Sequence, residues 1–143
     1  MREQNKTKHG GRLKVKGVYA RYYYYSAAAT TAIAGIFHLV MAYNTLGIAI
    51  NNIGIFFLIS GIIQLFWVIP MIRRWGKQWY YIGIGGTIAL IIIYAVTRVS
   101  NPITSAAQPV DTTGIATEVF EVAFVIITGI IAMTISKQKN LSK

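Results

Sequence analysis

Four long apolar runs, each closed off by charge or by turn residues, constrain this chain more than any other feature. They cover residues 22–44, 52–72, 80–97 and 114–136. Runs of 18 to 23 residues match the ~20 needed to cross ~30 Å of hydrocarbon at a helical rise of ~1.5 Å per residue. A β-barrel would need ~10-residue segments of alternating polarity, and the unbroken run Ile88-Ala89-Leu90-Ile91-Ile92-Ile93 does not alternate. The short connections force neighbouring helices to run antiparallel. The expected fold is therefore all-α, an integral membrane four-helix up-down bundle over 22–136. A basic arm (1–21) precedes it and a basic tail (137–143) follows.

Composition supports the same class. Hydrophobic residues make up 55% of the 143, charged residues only 13%, and mean hydropathy is +0.51, whereas an ordinary soluble domain is about 25% charged. The length leaves no room for a second domain of ordinary size. With no cysteine, the chain has no disulfide scaffold, iron–sulfur cluster, thiolate zinc site or cysteine nucleophile.

The basic residues predict an orientation. Arg2, Lys6, Lys8, Arg12, Lys14, Lys16 and Arg21 precede the first run; Arg73, Arg74 and Lys77 follow the second; Lys137, Lys139 and Lys143 follow the fourth. Only Arg98 falls on the other side. The positive-inside rule then makes both termini cytoplasmic, in the cell membrane. The net charge of +10 becomes a matter of topology, with no nucleic acid as partner. The arm is expected to lie along anionic lipid headgroups, where each cation contributes ~1 kcal/mol. The first run exceeds the 7–15 residues of a signal-peptide core and follows a long basic region, so it reads as a retained span. Tyr22–Tyr25, Trp67, Trp75, Trp79, Tyr80 and Tyr81 gather at the same boundary, where amphipathic rings anchor.

Small residues mark the expected helix contacts: Ala28, Thr31, Ala32 and Gly35 in the first span, Gly54 and Gly61 in the second, Gly83 and Gly85 in the third. In lipid such positions let backbones approach and gain van der Waals contact. They could serve this chain's own folding or docking to another chain. Pro70 is expected to kink or end the second span.

Ionisable groups within a bilayer need a partner or a purpose. Counting from the span ends puts His38 about 9 Å and Glu121 about 10 Å below the outer surface. Arg98, Asp111 and Glu118 fall nearby, which gives one polar layer in the outer half. One reading is a structural network, with Arg98 paired to Glu118 or Asp111 and His38 bonded to Glu121. A second is a metal site, copper or zinc, drawn from His38, Met41, Glu118 and Glu121. A third is a proton or cation path, for which the inner half adds only Gln64, Ser60, Thr30 and Thr31. One intramembrane histidine cannot ligate a haem twice. No nucleotide-binding or nucleophile-elbow motif is present and the loops are short, so no catalytic residue is expected.

The elements His38, then Gly54-Ile55-Phe56-Phe57-Leu58 through Ser60-Gly61 to Gln64, then Thr97-Arg98, Pro102, Pro109-Val110 and Glu121 resemble a largely uncharacterised family of small four-helix integral membrane proteins. The resemblance covers roughly 35–131 and singles out His38, Gln64, Arg98 and Glu121. The chain departs from that pattern at Thr112, Thr113 and Gly114, where the family tends to be acidic, and Glu118 is additional. In composition and size the chain is also similar to accessory membrane subunits of the copper-dependent archaeal ammonia monooxygenase. These resemblances imply a non-catalytic membrane subunit with other integral membrane subunits as partners and no cofactor of its own. The different-class alternative is a stand-alone protein that binds a metal ion or small cation at the His38/Glu121 layer.

Overall fold

The computed structural model describes residues 3–48, 50–100 and 107–141, with side chains placed between Arg21 and Lys137 within those stretches. It contains four helices, α1 (Glu3–Leu46), α2 (Asn52–Arg73), α3 (Lys77–Thr97) and α4 (Thr112–Leu141), and no strand among the described residues. All four are long and apolar enough to cross a bilayer, over Arg21–Leu46, Asn52–Arg73, Lys77–Thr97 and Thr112–Lys137. The chain is a multi-pass membrane protein.

Burial runs inside-out relative to a soluble domain. Away from one cluster of larger side chains, much of the interior is small or polar, including Ala34, Ala42, Thr31, Ser60, Thr117 and Thr128, while Ile36, Ile59, Ile62, Ile82, Ile92, Val119 and Ile126 face outward. Lipid tails attract such bulky apolar groups as well as another helix would. Bundle formation in lipid therefore relies on close backbone approach and on hydrogen bonds between helices.

Helix α1 is the hub. It packs along both α2 and α4, α3 packs on α4, and α2 and α3 barely meet. Gly35 and Gly61 set the α1–α2 contact. A Cβ on Gly61 would lie 2.9 Å from the Gly35 carbonyl oxygen and 2.8 Å from the Leu39 side chain. Thr31 Oγ1, one turn before Gly35, donates to the Gln64 carbonyl at 3.1 Å and fastens the two helices where they are closest. Gly54 takes up Leu46 at the opposite end of the same interface. Near the α2–α3 turn, Ala27, Ala28, Met71, Tyr80, Phe124 and Ile131 form a continuous core.

The ends differ from the sequence expectation. Lys77, Gln78 and Trp79, expected in a loop, already belong to α3, and the arm residues from Glu3 are helical and continuous with the first span. Pro70 does not end α2. The helix runs on to Arg73 and stops at Arg74, whose left-handed backbone (φ 52°, ψ 52°) lets the chain turn back and the Pro70 carbonyl accept from Trp75 N–H at 3.2 Å. At the other end Asn51 caps α2, its side chain accepting from Gly54 N–H at 2.8 Å. Asp111 does the same for α4, accepting from Gly114 N–H at 3.1 Å.

Candidate functional site

Three helices converge on one buried carboxyl. Glu121 sits on the inner face of α4 and is 1% exposed. His38 reaches it from α1, with Nε2 3.0 Å from Glu121 Oε1. Gln64 reaches it from α2, its Nε2 donating to the same oxygen at 2.5 Å. Backbone packing explains the convergence. The Gly35–Gly61 approach brings α1 and α2 close together, so residues three positions on along each chain, His38 and Gln64, flank that contact and both meet α4. The Phe57 ring lies 5.7 Å from the imidazole, and the rings of Phe37 and Phe120, the chain neighbours of His38 and Glu121, lie 6.0 Å apart.

The hydrogen bonding leaves spare capacity. Glu121 Oε1 takes both contacts, while Glu121 Oε2, Gln64 Oε1 and His38 Nδ1 are buried with no partner among the described residues. Where His38 donates through Nε2, its Nδ1 is an acceptor, so all three spare atoms can accept a hydrogen bond. On one side of Gln64 lies a cleft of about 250 Å³ between α2 and α3, lined also by Thr31, Ser60, Trp67, Gly83 and Thr87. Trp67 is part of its wall. It packs over Gly83, leaving no room for a Cβ there, and its Nε1 donates to the Trp79 carbonyl at 3.3 Å.

The other polar residues of the expected layer stand apart. Arg98 pairs with neither Glu118 nor Asp111: its guanidinium covers the Tyr94 ring with Cζ 3.9 Å from the centroid, and Nη1 donates to the Pro109 carbonyl. Among the described residues the single ion pair is His38–Glu121. Asp111 is occupied as the cap of α4. Glu118 is half-buried on the side of α4 that faces Tyr94, in a shallow surface depression with Ile115, Val119 and Val122. Met41 is half-buried on α1. No group of three or more His, Asp or Glu side chains converges among the described residues. The four metal candidates thus divide into a His38–Glu121 pair and two outliers, whereas a zinc-like site takes three or four ligands.

The resemblance groups Gln64 with His38 and Glu121, but the spans alone present it only as an inner-half polar residue and do not predict its contact with Glu121. The signal that could have found it is its position three residues after Gly61, one turn from the place where two glycines permit the closest helix approach.

The packing residues also separate into two sets. Gly35, Gly54, Gly61 and Gly83 each face an atom that a Cβ would crowd, and Ala28 and Thr31 are buried, with Ala32 half-buried. Gly85 is different. It is exposed, as is Gly86, and a Cβ on either would meet nothing within 4 Å.

Fold and site together define a polytopic helix bundle with a polar cluster at its centre. Compared with protein-family models, curated proteins and solved structures, the chain matches none of them.

Proposed function

We propose that this chain is a non-catalytic integral membrane subunit of a larger membrane complex, oriented with both termini in the cytoplasm. The observation that carries the reading is the bare Gly85–Gly86 face beside the α2–α3 cleft. Each glycine within a helix costs about 0.5–1 kcal/mol relative to alanine. Five other helical glycines, Gly35, Gly54, Gly61, Gly83 and Gly114, offset this by close packing, whereas a Cβ on Gly85 or Gly86 would meet nothing within 4 Å, as on Gly129 of α4, and these two are adjacent and both exposed. In lipid, what a helix gains from such residues is contact with another helix. The loose α2–α3 seam supports the same reading, because the bundle is open where the glycines lie. The 13 cations expected on one side support the orientation, and the basic arm suits anionic headgroups.

Solubilisation of the native membrane in mild detergent tests the proposal. The chain should migrate with specific larger membrane proteins, and replacing Gly85 and Gly86 together by Leu should release it from them. If it migrates alone under conditions that keep other membrane complexes whole, the proposal fails.

A further inference from the structure

Independently of any partner, the centre of the bundle poses a question of charge. Glu121 lies in the membrane interior, where an isolated anion is very costly. Arg98 is the only Lys or Arg outside the cytoplasm-directed groups, and it is engaged at the end of α3 with Pro109 and Tyr94. The groups facing Glu121 are few. His38 comes from α1, the uncharged Gln64 from α2, and Glu118 lies one turn away on α4 itself; α3 presents Tyr94 and Arg98 toward Glu118. Among the described residues no fixed positive side chain pairs with the Glu121 carboxylate. His38 and Glu121 together are two bases that require one positive charge between them.

We propose that the Glu121–Gln64–His38 cluster binds one exchangeable monovalent cation, with sodium competing against a proton, and that the ion enters from the α2–α3 cleft. Three observations converge on this. Glu121 Oε2 and Gln64 Oε1 are buried oxygen acceptors without partners, carried by side chains joined at 2.5 Å. Oxygen donors of this hard kind suit a small alkali cation. Gln64 lines a cleft of about 250 Å³ whose lining also includes the hydroxyl-bearing residues Thr31, Ser60 and Thr87. The charge balance completes the case. With a proton bound, the cluster is a neutral pair; when the proton leaves, one cation restores neutrality and the imidazole stays uncharged. Gln64 then acts twice, donating to Glu121 through its amide nitrogen and offering its oxygen to the ion.

A hydrophobic carbodiimide, which reacts with protonated carboxyls in apolar surroundings, reads the state of Glu121 directly. The full chain in Glu118→Gln form, reconstituted in vesicles, removes the neighbouring carboxyl from the readout. Modification of Glu121 should accelerate as pH falls, and sodium chloride should slow it several-fold relative to choline chloride at the same ionic strength. Gln64→Leu should leave the modification and abolish the sodium protection, an effect that a merely structural glutamine would not produce. Glu121→Gln should give no adduct. Equal rates in sodium and choline, or a Glu121 that stays unmodified at every pH, would overturn the proposal. Neither result bears on whether the chain has protein partners.

Discussion

At the scale of single residues, Glu121 links the helices more than any other described side chain, because α1 and α2 each send it a hydrogen-bond partner. Interhelical hydrogen bonds in membranes average only ~0.6 kcal/mol, so a replacement that removes both of these bonds should cost about 1–2 kcal/mol. Glu121→Leu is predicted to do this and Glu121→Gln to cost less than half as much, as measured by unfolding in mixed micelles. Equal stability of wild type and Glu121→Leu would mean that the cluster does not help hold the bundle. Part of this site was legible in the sequence. Counting residues from the span ends brought His38 and Glu121 to one depth, since axial rise is uniform. The same count puts Arg98 correctly at the end of α3 but does not give its partners, nor the contact of Gln64 with Glu121. It reports position along an axis and carries no information on rotation about it, nor on the register that the Gly35–Gly61 contact imposes on α1 and α2. For Arg98, a carbonyl and an aromatic face close at hand, Pro109 and Tyr94, compete with the carboxylates, and neither appears as a charge in a sequence.

At the scale of helices, glycines of two kinds predict opposite outcomes. Gly61→Ala places a methyl 2.9 Å from a backbone oxygen that cannot step aside, so α1 and α2 must separate at a cost of about 1–3 kcal/mol. Gly85→Ala meets nothing, and in the isolated chain it should add up to about 1 kcal/mol of helix stability. Detergent unfolding of the two variants side by side checks the pair; a destabilised Gly85→Ala would place that residue inside the bundle. Asn51→Ala should cost about 1 kcal/mol by removing the acceptor that caps α2. The four helices themselves were legible because hydrophobic length is a strong signal. Their ends were less so: Lys77, Gln78 and Trp79 are polar or interfacial yet belong to α3, since Arg74, Trp75 and Gly76 complete the turn, with positive φ at Arg74 and Gly76. Which small residues pack inside and which face out could not be read at all. Stripes on a helix look alike until its neighbours are placed.

At the scale of the whole molecule, the proposed subunit role turns on the seam between α2 and α3, along which the bundle is open. Because the sequence contains no cysteine, single cysteines give clean accessibility labels. One near residue 5 and one at 143 should react only from the cytoplasmic side, and Val110→Cys only from the outside; labelling of Val110→Cys and of the N-terminus from one side would overturn the orientation. The central claim, that the α3 face at the seam meets protein, is tested most directly by a photo-reactive amino acid placed at Gly85 in the native membrane, with a second at the outward-facing Ile126 of α4 for comparison. The account predicts a discrete cross-link from position 85 to a different membrane protein, stronger than any from position 126. Cross-links from 85 to lipid alone, or to the same neighbours in the same yield from both positions, would contradict it.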